Sequence, residues 1–431
     1  MRYLALVCAV VLSACTGDES SSNQDAVDEE TGGDNSEAVA TLEAELPFQW
    51  GTEGEDSVEG VIPFDQGFIV AGTSSDGGYY ATVGRFELAD TGIQNIWTRE
   101  FRPQDRSGSV DIKEDVQGNI LLLVNSWSDS DIEASGASLI KLNPAGESVW
   151  TQNLLSDIGA VTVYGLAVNS SGSTYVVGTK GSRNSGGEGL NDHAEAEAFV
   201  AAFDQDGNLL WEDVLGKGLF SSSSPDTAAT VAVLSSGRIV ITGNTDADLV
   251  GTGPVKTWSV FVRTYEEGGD INSTFQYFKS DSGFNWVQAA GTDLASNVFL
   301  HVQSHGFFKV DPAGQIVFSD DGDWEGVQMP RAWSIIASET GDIFVVGATN
   351  GSNTFGESLG GNDGFIAHFS NNLELLNSTN YGTSEDDAVY GLYIVDQGLF
   401  VGGTTRGVVG AESAGELDFF VALLNSELDE L

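Results

Sequence analysis

Apolar and polar residues alternate along this chain in short runs, and the runs come in pairs. Seven times a strand-like segment meets a polar or glycine-containing turn, and a second segment follows that usually ends in Gly-Thr or a near equivalent. The pairs run from Val61 to Thr73, Asp115 to Ser126, Gly165 to Thr179 and Val231 to Gly243, then from Val287 to Val302, Ile335 to Thr349 and Leu392 to Thr404. Their turns fall at Gln66-Gly67, Gly118-Asn119, Ser171-Gly172, Ser236-Gly237, Ser296-Asn297, Gly341-Asp342 and Gln397-Gly398. The spacing is about 55 residues per unit, the scale of a four-stranded propeller blade with some long loops.

The second half of each unit is as regular. A third run such as Ala198 to Phe203 or Gly364 to Phe369 alternates in period two. A tight turn follows, as at Asn143-Pro144-Ala145-Gly146, Asp204-Gln205-Asp206-Gly207 and Asp311-Pro312-Ala313-Gly314, where Asn or Asp bonds its own backbone and glycine takes positive φ. A fourth run then carries an aromatic: Trp97, Trp150, Trp211 or Phe318. A flat ring recurring at one place is what packing one twisted sheet on the next requires, so these rings are expected in the core.

The last unit ends after its third run, Phe419 to Leu424, with no evident fourth. The segment Leu46 to Val58, with Gly51-Thr52 ahead of Asp56, matches the end of a unit at Asn380 to Val389, with Gly382-Thr383 ahead of Asp387. The N-terminal strand should therefore supply the outer strand of the final blade and remove an exposed edge. The expectation is an all-β fold: a seven-bladed β-propeller of four-stranded antiparallel blades over residues 46–431, its last blade closed by the N-terminal strand.

Composition supports a packed body. Hydrophobic content is 41% with 23 Phe, 9 Trp and 10 Tyr, too high for a disordered chain, and two cysteines exclude a disulfide scaffold. The formal net charge of −47 makes nucleic acid a poor partner, since phosphate binding needs clustered Lys and Arg; a solvated acidic coat on a monomer is expected instead.

Residues 1–14 read as an address. Arg2 gives a positive start, Leu4 to Leu12 an apolar run too short to span a bilayer as a mature helix, and Leu12-Ser13-Ala14-Cys15 follows. This resembles the lipobox of bacterial lipoproteins. The resemblance implies cleavage before Cys15, fatty acylation of its thiol and amine with palmitate-type chains, and firm membrane attachment. Thr16, where many Gram-negative sorting systems read Asp as an inner-membrane retention signal, favours the outer membrane. Cys8 would leave with the signal. Residues 15–45 then carry ten acidic side chains after Cys15 with no Lys or Arg, the composition of a disordered tether.

The repeats themselves resemble the bacterial β-propeller repeat family called SBBP. Gly360-Gly361-Asn362-Asp363-Gly364-Phe365-Ile366 matches its Gly-Gly-x-Asp-x-Phe-Ile pattern, and Glu416-Leu417-Asp418-Phe419-Phe420-Val421 keeps the core of it; Glu197 stands where Asp is expected in the third unit. The resemblance implies the propeller and no reaction, because the family has no common catalytic set.

Chemistry is sparse in the sequence. His301 and His305 have a zinc-like spacing, but on a strand residues four apart lie about 13 Å from each other, so ordinary histidines are expected there, as at His193 and His368. No Gly-x-Ser-x-Gly elbow, Walker loop or dinucleotide fingerprint occurs in the right context, and no catalytic or cofactor-binding residue is assigned. Two acidic clusters, Asp320, Asp321 and Asp323 and then Asp204 and Asp206, offer oxygen ligands suited to Ca²⁺, although neither completes a twelve-residue loop and plain Asx turns explain both. Asp56, Asp226, Asp363, Asp387 and Asp418 recur where units begin and are expected to bond backbone N–H groups.

The function expected from these features is a non-catalytic, outer-membrane-anchored binding or scaffold module for a protein or glycan partner. Its contact surface is expected on four long inserts: Ser182 to Glu197, Asp246 to Thr257, Asn350 to Gly360 and Arg406 to Glu416. A polysaccharide hydrolase or lyase using carboxylates at the propeller mouth, and a periplasmic envelope-assembly scaffold, are the alternatives.

Overall fold

A computed structural model describes residues 46–430 apart from 90–91, 130–134, 155–159, 182–195, 217–225, 252–258, 278–285, 304–305, 320–330, 339, 350–354, 396–397 and 411–414. The signal, Cys15 and the tether, along with Asp320, Asp321, Asp323, His193 and His305, lie outside the described residues.

The described chain builds seven four-stranded antiparallel sheets. A short first strand, β1 (Phe48–Trp50), precedes blade 1, which comprises β2 (Asp56–Phe64), β3 (Gly67–Ser74), β4 (Tyr80–Ala89) and β5 (Gly92–Phe101). Blade 2 follows with β6 (Arg106–Glu114), β7 (Ile120–Trp127), β8 (Gly136–Leu142) and β9 (Ser148–Leu154). Blade 3 holds β10 (Ala160–Val168), β11 (Thr174–Gly181), β12 (Glu197–Phe203) and β13 (Leu209–Leu215). Blade 4 is β14 (Thr227–Val233), β15 (Ile239–Thr245), β16 (Ser259–Tyr265) and β17 (Ile271–Tyr277). Blade 5 is β18 (Val287–Thr292), β19 (Val298–Val302), β20 (Gly306–Val310) and β21 (Ile316–Ser319). Blade 6 is β22 (Arg331–Ala337), β23 (Ile343–Ala348), β24 (Gly364–Phe369) and β25 (Leu375–Tyr381). Blade 7 contributes β26 (Asp387–Val395), β27 (Gly398–Thr405) and β28 (Asp418–Leu424).

The first strands of successive blades pack on one another all the way round, with β26 against β2, so the sheets form a closed ring: a seven-bladed β-propeller. The N-terminal strand closes it as the sequence match requires, with Phe48 opposite Val421 and Trp50 opposite Phe419. Beyond β1, Glu430 bridges back to Leu424, so both chain ends share the outer edge of blade 7.

Second and third strands are buried along nearly their whole length because both faces of each blade are covered. Alternate residues of one strand go to different neighbours: Ile69 and Ala71 join the apolar cluster against blade 2, whereas Phe68 and Val70 join the one against blade 7. Among the described residues there are seven such clusters, one at each junction.

The fourth-strand tryptophans act at these junctions. Trp97, Trp150 and Trp211 each donate their indole N–H to a carbonyl in the third turn of the following blade, to Pro144 at 3.1 Å, Gln205 at 3.1 Å and Glu267 at 2.9 Å. The turn's glycine lies flat on the ring. At Gly207 (φ +83°), a Cβ would stand 2.9 Å from the Trp150 ring, so glycine is required there by both conformation and space. Arg85 and Lys141 reach the Pro144 and Gln205 carbonyls from the third strands as well, and a buried Lys141–Asp115 ion pair at 2.8 Å ties that lysine to its own blade's first turn.

Candidate functional site

The antiparallel order sorts the loops. First-to-second and third-to-fourth connections open on one face, where those between named strands span two to five residues; second-to-third and fourth-to-first connections open on the other. All four long inserts are second-to-third connections; the described parts of three of them, residues 246–251, 355–360 and 406–410, stand on that second face, the insert face, while 182–195 of the fourth lie outside the described residues.

Where the inserts are described they are pinned to the rim. Gln276 donates to the Ala247 carbonyl at 2.7 Å and accepts from the Leu249 N–H at 3.0 Å. Gln49 of β1 does the same to Gly407 at 3.0 Å and Val409 at 2.9 Å, from the equivalent place in blade 7. Asn380 donates to the Glu357 carbonyl at 3.1 Å, while Phe355 drops into the core and stacks on Phe365 at 4.6 Å.

The axis of the ring is lined by the first strands, and each of these carries a β-bulge at or before its midpoint. The bulged residue is Glu59 in blade 1, then Val110, Tyr164, Ala229, Gln288, Trp333 and Tyr390 in order. This ring is lopsided. Blades 2 and 4 contribute small aliphatic groups, whereas blades 5, 6, 7 and 1 set Gln288, Trp333, Tyr390 and Glu59 side by side.

Within that arc the Trp333 and Tyr390 rings stack, centroids 4.2 Å apart and planes inclined by 19°. Glu59 Oε1 accepts the Ser57 hydroxyl at 2.7 Å, while its Oε2 and the Gln288 Oε1 are buried with no hydrogen-bond partner. Burial pushes the Glu59 carboxyl up to about 7, against the opposing pull of the Ser57 and Thr73 hydroxyls. Burial first and the Glu59 charge second raise the Tyr390 phenol; the Thr404 hydroxyl and then the exposed Arg331 counteract in part. Deeper along the axis, Lys113 meets Asp111 at 2.6 Å, and Asp111 also accepts the Leu166 N–H of blade 3 at 3.0 Å. Desolvation is the largest influence and opposes the Lys113 charge, but Asp111 and the Tyr393 phenol together outweigh it and the ammonium is held above its usual range.

Residues singled out from the sequence are placed as follows. Asp204 accepts the Asp206 and Asn208 N–H groups at 2.9 and 2.8 Å and the Asn208 side chain at 2.9 Å, an Asx turn whose bonds, the Asn208 amide foremost, lower the carboxyl's pKa. Among the described residues, no group of three or more His, Cys, Asp or Glu converges in a way that could hold a metal ion. His301 is buried on β19 against Phe307, and burial lowers its pKa to about 4. Asp56 and Asp387 accept the N–H and hydroxyl of Thr52 and Thr383, as matched segments should; Asp226 accepts from Asp246 N–H and Asp363 from Leu359 N–H. Asp418 differs, accepting the Gln49 side chain at 2.9 Å.

The arc escaped the sequence reading because a bulge breaks period two without leaving an apolar gap. A signal was nevertheless present: Glu59-Gly60, Tyr164-Gly165 and Tyr390-Gly391 each put glycine inside a strand pattern, the mark of a bulge or a close approach. At Gly60 a Cβ would lie 2.6 Å from Ile112 of the next blade.

No protein-family model matches the sequence, and no curated protein matches it. Solved structures similar to this chain include a protein of unknown function from Bacteroides caccae, at 10% identity and a TM-score of 0.40, covering 72% of this chain and 93% of that one. They also include BamB from Moraxella catarrhalis, at 12% identity and a TM-score of 0.45, covering 84% of this chain and 85% of that one.

Proposed function

We propose that this chain is an SBBP-type lipoprotein, acylated at Cys15 and moored to the bacterial outer membrane, whose propeller binds a protein or glycan partner and catalyses no reaction. The observation that carries the reading is the inequality of the two faces: the long inserts are all second-to-third connections, whereas the connections of the opposite face between named strands span two to five residues. The lipobox and the acidic stretch supply the mooring and the spacer.

Two measurements test this. Labelled palmitate should enter the wild-type chain and not Cys15→Ser, which should also leave the membrane fraction; equal labelling of both overturns the anchor. Shortening the inserts at 182–197 and 350–360 should abolish in-cell cross-links to the partner, and unchanged cross-links overturn the insert face.

A further inference from the structure

We propose that the arc Gln288, Trp333, Tyr390 and Glu59 is a carbohydrate subsite that takes a neutral pyranose ring at the axial mouth of the insert face. This rests on the binding-module reading above and names the ligand class of one part of it.

Four successive blades deliver these side chains from the same bulged position, so the arc is continuous around the mouth. Its centre is an aromatic pair stacked at 4.2 Å. Its two flanks are side-chain oxygens out of contact with solvent: Gln288 Oε1, which has no hydrogen bond, and Glu59 Oε2, which makes none although the Thr73 hydroxyl is near enough to act on the carboxyl. A buried acceptor left unpaired is costly, and two of them flanking one aromatic surface call for a ligand that donates on both sides.

A pyranose meets both demands. Its C–H face packs on aromatic carbon, and its equatorial hydroxyls radiate in the ring plane as donors towards such oxygens. Exposed Arg331, on the same strand as Trp333 and close enough to act on the Tyr390 phenol, can donate in turn to a hydroxyl oxygen. A quaternary ammonium would also enjoy the rings and Glu59, but it would have to sit beside the Arg331 guanidinium. Anionic ligands would face Glu59 and the −47 net charge.

The test uses the full chain in a polyoxyethylene detergent, which carries no sugar. Neutral hexasaccharides of β-1,4-glucose, α-1,4-glucose and β-1,4-N-acetylglucosamine are titrated by calorimetry, with tryptophan emission as a second readout. At least one should bind at a single site and change the emission. Trp333→Leu and Tyr390→Leu should each weaken it by roughly tenfold or more, and Glu59→Gln and Gln288→Leu by roughly threefold to tenfold. Gln288→Leu keeps the test decisive if an aromatic variant fails to fold. No binding of any hexasaccharide at millimolar concentration overturns the subsite, as does binding unchanged in the variants, or tetramethylammonium binding at the arc in place of sugar. Sugar binding lost only on shortening the inserts overturns the arc and leaves the binding-module reading standing. Sugar bound by the arc while the inserts prove dispensable for every partner does the reverse for the insert face.

Discussion

Four of the seven junctions of this ring show two contrasting builds. Between blades 1 and 2, 2 and 3, and 3 and 4, an indole from the outer strand lies on the next blade's turn glycine and donates to the carbonyl two residues before it. Between blades 7 and 1 no such latch forms, because β1 pairs only Phe419 to Val421 and stops short of the latch position opposite Leu423. Six rings fill that seam instead: Phe48, Trp50, Phe68, Phe86, Phe400 and Phe419, with neighbouring centroids 5.2–6.3 Å apart. Interior junctions are therefore products of the repeat, each held by local chain connection as well as by packing. The seam has its chain connection too, residues 51–55 from β1 to β2, with the Asp56 N–H on the Leu417 carbonyl at 2.8 Å and an Arg406–Glu55 ion pair at 2.9 Å, but blade 7 itself is completed only by the three pairs of β1.

Truncating the seam should give the largest effect. Phe86 is fully buried and touches Phe48, Trp50, Phe68 and Phe419, so Phe86→Ala should cost about 4 kcal/mol, near the upper range for buried aromatics. Trp150→Ala, half-buried at an interior junction, should cost about half as much. Chemical denaturation with native-state hydrogen exchange separates them: the seam variant should expose β1 and β28 amides first. Equal costs, or exchange spread evenly over the ring, would erase the distinction between the two kinds of junction.

The pH dependence sharpens the same contrast from the axial side, where Glu59 faces the seam. Its carboxyl is held up to about 7 in the fold against an ordinary value near 4.5. The folded chain thus binds a proton that the unfolded chain has released between those values, and stability falls as pH rises through that window. Glu59→Gln should change little at pH 4 and stabilise the protein by about 3 kcal/mol at pH 8, less if water relaxes around the site. A melting temperature that tracks wild type from pH 4 to pH 8 would show that the carboxyl is not desolvated. Asp226, likewise pushed to about 7 by burial at the start of blade 4, is the interior control.

Most of this architecture was legible in the chain. The turns at Asn143, Asp204 and Asp311, the third strands and the pairing of residues 46–50 with blade 7 all follow from local rules, since each states its own hydrogen bonds or its own periodicity. The rings at Trp97, Trp150 and Trp211 were legible as packing residues, but their indole bonds were not, because the acceptor lies about 50 residues away in another blade's turn. The arc was the least legible part. Gln288, Trp333, Tyr390 and Glu59 are spread over nearly the whole chain, and only ring closure, together with one extra residue in each first strand, brings them to one mouth.

The latch predicts a difference between two glycines of similar backbone. Gly207 (φ +83°) lies against the Trp150 ring, whereas Gly237 (φ +82°) has nothing within 4 Å of a would-be Cβ. Gly237→Ala should cost about 1 kcal/mol, the strain of a left-handed alanine, and Gly207→Ala about 2. Pairing Gly207→Ala with Trp150→Phe should recover part of the excess in a double-mutant cycle. Equal costs for the two glycines would mean that the ring moves aside freely and is no latch.

The smallest effect concerns how β1 holds the insert face. Gln49 clamps Gly407 and Val409 at the seam as Gln276 clamps Ala247 and Leu249 in blade 4, and each has a third partner, Asp418 or the Ser259 hydroxyl. The bonds match in number, but the third runs to a carboxylate at Gln49 and to a hydroxyl at Gln276, so Gln276→Ala should cost about 1 kcal/mol and Gln49→Ala about 1.5 once water takes the vacated positions. They should differ in where the fold opens. A chain end held by three residues can peel without disturbing a neighbour, so Gln49→Ala should speed exchange at the Val409 amide and along β1 together, while Gln276→Ala speeds exchange at Leu249 alone. Unaltered exchange along β1 in Gln49→Ala would mean that the aromatic cluster by itself keeps the ring shut.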